Sequence, residues 1–347
     1  MRPHGGGSRV LVTGAGGFIG GVLADLLAAR GHRVTALVRG HGPVRGGHAL
    51  AGDVEVVTAD LLDPRSLAAA RVDRGFDAVC HLAALTRVRQ SRDEPLRYFE
   101  TNVTGTINLL AALDRGFDAS GRAPTVVLGS TAAVYGDPDA GPIPESRPPD
   151  PRHPYGASKL AAEQVIAHQA ATGRIGAVVL RSFNVAGAAP GHVDRDATRI
   201  IPAALRVAAG EADAFRINGD GASLREYVHV DDVAAAYALA LEATRPGDRR
   251  VYNVGSGTGV SVNDVLAAVE RVTGRPVRRV SGPPVAEPRA LVVDSHRIRA
   301  ELGWEPRRSA LDRIITDAWR WSHQPTVEAA ANGGPPSRTD VTNTAPL

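Results

Sequence analysis

Short apolar runs alternate along the first half of the chain with longer stretches whose apolar residues recur at helical spacing. Residues 9–14 (RVLVTG) read as a strand, and 19–31 (IGGVLADLLAARG) as a helix closed by Gly31. Further strands are predicted at 33–38, 54–60, 77–84, 125–130 and 177–183, with helices at 95–116 and 156–173. These strands are apolar throughout rather than alternating, as expected of parallel strands covered on both faces. Strand and helix in rotation predict a doubly wound α/β sheet with right-handed crossovers.

The second half is less regular. Helices are predicted at 199–210, 231–243, 261–274 and 309–322, which suggests a smaller α/β lobe. Residues 40–52 and 136–154 are Gly/Pro-rich loops, and the Ala/Pro/Gly/Thr-rich stretch 323–347 is expected to be a disordered tail.

Composition narrows the function classes. The chain has 347 residues, enough to bury a sizeable core, with 43% hydrophobic and 22% charged residues. Net charge is +3, no basic block reaches five residues and aromatics are 4%, so nucleic-acid binding is not expected. Cys80 is the only cysteine and lies in an apolar run, where it reads as a small buried hydrophobe. No apolar run approaches a membrane span, residues 1–9 lack a signal-peptide core, and no metal site is expected. A cytoplasmic enzyme or binding protein is the natural expectation.

The candidate chemistry begins at 13-TGAGGFIG-20, between the first strand and its helix. Gly14, Gly17 and Gly20 suit a tight turn, the close approach of a pyrophosphate and helix–sheet packing, with the helix N-terminus offering N–H groups to the phosphates. Asp60 closes the third strand. It either accepts from an adenine amino group or caps the helix that follows.

The second signal is 155-YGASK-159. Of the 40 Lys and Arg residues, Lys159 is the single lysine. On a helix Tyr155 and Lys159 stand one turn apart on one face. An ammonium beside a phenol is expected to lower a pKa that starts near 10. Tyr155 would then act as base when a carbinol is oxidised and as acid when a carbonyl is reduced. A compact ammonium can also bond a ribose hydroxyl where arginine's broad fork fits poorly.

Together with 130-STAAVYG-136 and 225-REYVHVDD-232, these segments resemble the extended short-chain dehydrogenase/reductases, over roughly residues 8–322. Within them the chain is most similar to the UDP-glucose/UDP-galactose 4-epimerase branch. The resemblance implies a Rossmann domain at 8–182 and a substrate lobe at 183–322, with 227–255 returning to the Rossmann sheet. It implies Thr131 as the hydroxyl on the reacting oxygen, Tyr155 as acid/base and Lys159 as the cofactor-ribose partner. It extends the cofactor contacts to Phe18, Ile19, Leu61 and Ala83. It makes Asn102, Asn184 and Arg225 substrate-site residues, although Asn184 also reads as a loop cap and Arg225 as a surface ion pair. A homodimer is expected by the same analogy.

Three departures from the family pattern carry information. Ala132 and Ala133 stand where related dehydratases carry Asp-Glu, so water elimination is not expected. Val38 replaces the acid that holds the adenosine 2′-hydroxyl, and Arg39 beside it suits a 2′-phosphate, which favours NADP(H) over NAD(H). The arginine that clamps the substrate diphosphate falls on Pro284, with Arg289 as a substitute five residues on. The leading expectation is a nucleotide-sugar 4-epimerase. The alternative is an NADPH-dependent keto-sugar reductase. A redox-sensing NADP-binding protein without activity is disfavoured by the intact Thr131, Tyr155 and Lys159.

Overall fold

A computed structural model describes residues 7–40, 50–138, 141–283 and 289–323. Its first half comprises β1 (Arg9–Thr13), α1 (Phe18–Ala29), β2 (Arg33–Val38), β3 (Glu55–Thr58), α2 (Pro64–Ala69) and β4 (Ala78–His81). Then come α3 (Val88–Asp93), α4 (Pro95–Phe99), a π turn (Glu100–Thr104) and α5 (Gly105–Ser120). β5 (Thr125–Thr131) runs into a 3₁₀ turn (Ala132–Tyr135), followed by α6 (Pro154–Ala171) and β6 (Gly176–Ser182).

The second half opens with the short β7 (Asn184–Ala186), β8 (Ala188–Ala189) and β9 (His192–Val193), then α7 (Ile200–Ala209) and β10 (Phe215–Asn218). β11 (Leu224–His229), α8 (Val230–Ala243) and β12 (Arg249–Val254) follow. The remaining elements are β13 (Gly259–Ser261), α9 (Val262–Thr273), β14 (Arg279–Gly282), β15 (Ala290–Leu291), α10 (His296–Leu302) and α11 (Leu311–Ser322).

Seven parallel strands form the main sheet in the order β3-β2-β1-β4-β5-β6-β12. The order reverses between β1 and β4, which opens a crevice beyond their carboxyl ends. Strand alternation sorts the core. Val10, Val12 and Val127 pack with Leu23 and Leu27 of α1 and Val233 and Tyr237 of α8. Leu11, Val126 and Leu128 face the other way, onto Leu67 of α2, Leu109 and Leu113 of α5, and Ile166 of α6. Each fully buried Leu, Ile or Val stabilises the fold by about 1.5–3 kcal/mol, so apolar runs on both faces hold the sheet between its two layers of helices.

A separate core lies in the second half, where Leu205 of α7, Leu266 and Val269 of α9 and Ile314 of α11 pack together. The start of α9 is fixed by a reciprocal capping box between Ser261 and Asp264. β12 nevertheless belongs to the main sheet, pairing Val251 with Val179 of β6.

The helix predicted at 95–116 is interrupted. The π turn at Glu100–Thr104 separates α4 from α5 and buries Asn102. An extra residue in the turn lets a polar side chain point inward without breaking the rod, and π turns of this kind recur at functional sites.

Candidate active site

Where β1 ends, Gly14 turns the chain with φ of +73°, and a Cβ there would sit 2.7 Å from Ala83 N. A Cβ on Gly20 would lie 2.3 Å from Gly14 O, so only glycine lets α1 pack this close to the turn. Gly17 is the N-cap of α1 and offers no side-chain cap, and the first turn carries no acid. The N–H groups of Phe18, Ile19 and Gly20 therefore have no acceptor inside the helix, which is the arrangement that binds phosphate. The residues fit a dinucleotide.

The other expected cofactor residues line the same carboxyl edge of the sheet. Exposed Arg39 follows β2 directly. Asp60 follows β3; its Oδ1 accepts from Leu62 N at 2.9 Å and its own N–H donates to Ser66 Oγ at 3.0 Å. The cap of α2 itself is Asp63, whose Oδ1 accepts from Arg65 N at 2.9 Å, while Asp60 closes the turn ahead of it. Leu61 is buried, with its carbonyl accepting from Asn108 Nδ2 at 2.9 Å.

Tyr155 enters in the first turn of α6, after Pro154 at the first helical position and the N-cap His153, whose Nδ1 accepts from Gly156 N at 3.1 Å. Thr131, at the end of β5, has its hydroxyl near enough to the phenol to pull its pKa down, and its Oγ1 accepts from Ala133 N at 3.2 Å. The Tyr155 ring lies edge-on to Tyr98, 6.4 Å between centroids, and parallel to His153 at 6.0 Å.

The electrostatics differ from the expectation that Lys159 lowers the phenol pKa. Burial raises Tyr155 above its ordinary value, and the forces pulling it back are the Thr131 hydroxyl and the charge of Arg199. Lys159 is 3% exposed; burial lowers its ammonium to about 8, opposed by Glu163. Counting residues along one helix face captured proximity but left out the loss of water, which here is the larger effect.

Residues 10–255 match the NAD dependent epimerase/dehydratase family. The chain belongs to that family. It is 38% identical over 325 residues to the UDP-glucose 4-epimerase of Streptomyces lividans, covering 90% of this chain and 95% of the relative. Its fold matches UDP-glucose-4-epimerase from Stenotrophomonas maltophila with bound NAD and formylated UDP-arabinopyranose, with a TM-score of 0.82 and 33% identity. That alignment covers 90% of this chain and 97% of the other. The Brucella ovis UDP-glucose 4-epimerase in complex with NAD matches at a TM-score of 0.81 and 32% identity, covering 90% and 98%.

For this member of the family, the expected substrate residues divide into two groups. Asn102 is 1% exposed and its amide is used up internally: Oδ1 accepts from Leu85 N at 2.8 Å, and Nδ2 donates to Leu85 O and to Ser158 Oγ. It clamps the loop after β4 to α6, which corrects its reading as a substrate contact. Asn184, Arg225 and Arg289 instead converge on one small sheet. β7 pairs Asn184 with Tyr227 of β11, and β15 pairs Leu291 with Arg225. Asn184 donates to Glu226 O at 2.8 Å, and Arg225 reaches Leu224 O at 2.8 Å. Arg289 is exposed, with its carbonyl accepting from Leu224 N at 2.8 Å. Pro284 lies outside the described residues.

Several site residues escaped the sequence reading. His81 sits under the crevice between Thr13 Oγ1 at 2.8 Å and Thr106 Oγ1 at 2.9 Å, and Thr13 also accepts from Ala83 N. Burial and the nearby Lys159 charge lower it to about 3, so it is a neutral hydrogen-bonding strut. Arg199, the N-cap of α7, pairs with Asp194 at 2.9 Å and acts on Tyr155 from the second lobe. Cys80 is buried and its thiol is pushed up by desolvation, consistent with a packing role. Among the described residues no cluster of three metal-ligating side chains occurs, and no helix is long and apolar enough to cross a membrane.

Proposed function

We propose that this chain interconverts the C4 epimers of a nucleotide-sugar, with NAD as its bound cofactor. The observation that carries the reading is that Thr131 at the end of β5 acts on Tyr155 in the first turn of α6, with Lys159 one turn along that helix. When bound, NAD supplies reversible hydride uptake from the sugar's carbinol carbon. Thr131 fixes the reacting oxygen. Tyr155 takes the proton from that oxygen in the oxidative half and returns it in the reductive half. Lys159 offers its ammonium to the ribose and Phe18, Ile19 and Gly20 offer N–H groups to the pyrophosphate. Asp60 receives the adenine end.

Ala132 and Ala133, in the turn after Thr131, provide no carboxylate, which supports epimerisation over elimination. The named relatives act on UDP-glucose, and we assign the same nucleotide class here, with Asn184, Arg225 and Arg289 at its phosphates. Use of a nucleotide cofactor and a nucleotide-sugar supports a cytoplasmic location. Leu96, 83% exposed, with Phe99 and Ile107 on α4 and α5, supports a homodimer through these helices.

The test is conversion of UDP-galactose to UDP-glucose without added cofactor, followed by proton NMR, with Tyr155→Phe as control. Turnover should vanish in the variant while bound nucleotide and fold remain. A variant that still turns over would sink the reading. A second reading, an NADPH-dependent keto-sugar reductase, is favoured by Val38 and the exposed Arg39. Steady loss of absorbance at 340 nm with a keto-sugar, and no interconversion of UDP-sugars, would establish it instead.

A further inference from the structure

One turn beyond Lys159 on α6, Glu163 is buried among polar groups from neighbouring elements. Arg181 of β6 donates to both carboxylate oxygens, from Nε to Oε1 at 3.1 Å and from Nη2 to Oε2 at 2.6 Å. Ser130, the residue before Thr131, donates from Oγ to Oε1. Arg181 Nη1 also donates to the Tyr135 hydroxyl at 2.9 Å, which donates to Asn253 Oδ1 at 2.7 Å. Asn253 Nδ2 then donates to Ile143 O at 2.9 Å. The network ties α6 to β5, β6, the 3₁₀ turn and β12.

A buried ion pair adds little stability that well-packed apolar side chains could not match. Its position here supplies another reason for it. Glu163 touches the residue next to Thr131 and stands four residues from Lys159 on the same helix.

We propose that Glu163, held by Arg181, is a positioning residue for the proton transfer. It fixes the end of β5 against α6, and its negative charge keeps Lys159 an ammonium. This rests on the reading of Thr131, Tyr155 and Lys159 given above. Glu163 stands one turn along the same helix, neutral His81 on β4 feels the Lys159 charge, and Arg181 on β6 is paired with Glu163. Among the described residues Glu163 is the anion that acts on the lysine; it opposes the burial that brings the ammonium down to about 8.

Three variants test this. Glu163→Gln keeps the shape and removes the charge, but leaves Arg181 buried without its partner. Glu163→Gln/Arg181→Met removes both charges, and Glu163→Asp keeps the charge one methylene short. Circular dichroism and retained nucleotide show which of them fold. A misplacement of order one ångström costs up to about a hundredfold, so kcat should fall about ten- to a hundredfold in the uncharged variants with KM little changed. The alkaline limb of the kcat–pH profile should move to lower pH, and Glu163→Asp should recover much of both effects. An unmoved alkaline limb in the double variant would show that Glu163 only packs, and would overturn the proposal. Lys159→Met assayed alongside separates the two possible failures. If it keeps its turnover, the assignment of Lys159 is what fails. If it loses turnover while the Glu163 variants behave as wild type, this proposal alone fails.

Discussion

Lys159→Met should yield a protein that is more stable at neutral pH and catalytically dead. The lysine is 3% exposed, and burial brings its ammonium from 10.5 to about 8 against the pull of Glu163. At about 1.36 kcal/mol per pH unit, holding that charge in the fold costs about 3 kcal/mol below pH 8. The sign follows from proton counting. Between about pH 8 and 10.5 the unfolded chain keeps a proton that the folded one has lost, so wild-type stability should rise with pH across this window. Methionine matches the stem in length, carries no charge, and leaves Glu163 paired with Arg181. Denaturant unfolding of nucleotide-free protein at steps from pH 7 to 10.5 gives the difference directly. The variant should be about 3 kcal/mol more stable at pH 7, with the gap closing as pH approaches 10.5. Its turnover should fall by about a hundredfold or more. A variant no more stable than wild type at pH 7, with a parallel pH profile, would refute the idea that this site holds a strained ammonium.

Arg199→Ala removes a positive charge that lowers the Tyr155 phenol, so the pH–rate limb belonging to Tyr155 should move to higher pH. An unmoved limb would make Arg199 a surface partner of Asp194 and nothing more. Arg39→Ala bears on cofactor choice: a charge-assisted bond to a 2′-phosphate is worth about 1.5–3 kcal/mol, so any NADP(H) affinity should fall about tenfold or more while NAD binding stays. Titration of both cofactors against both proteins decides it, and wild-type binding of NAD alone would retire the NADP(H) reading. Gly20→Ala sets a methyl 2.3 Å from Gly14 O, and overpacking of this kind costs about 1–3 kcal/mol. Thermal unfolding and NAD affinity should both weaken, and an unaffected NAD affinity would remove the glycine turn from the cofactor site.

The main sheet was legible because its strands are buried on both faces, which leaves a continuous apolar run in the sequence. The strands of the second half were not, because β8, β9 and β15 are two residues long and exist through pairing rather than through any pattern. The glycine turn and the Tyr155–Lys159 spacing could be read because both are local. Asn102 could not be read correctly, since a π turn leaves no signature in propensity and its partners Leu85 and Ser158 come from other elements. Arg199 was invisible for the same reason: packing of α7 brings it to Tyr155, and nothing in its neighbours marks it. Glu163 did carry a signal, an acid one helical turn after the lone lysine. Its meaning appears only with Arg181 and Ser130 beside it.

Charge balance bears on the proton transfer. Burial pushes both members of the pair toward their neutral forms, the phenol upward and the ammonium downward. A phenol that gives its proton to a carbonyl oxygen must take one back before or during the next turnover, whether the net reaction is a reduction or an epimerisation. The Thr131 hydroxyl and the Arg199 charge oppose the burial of Tyr155, as Glu163 opposes that of Lys159. Opposing pulls on both groups keep each proton transferable. The residues that make the crevice chemically competent are therefore the ones whose removal should move the pH–rate limbs.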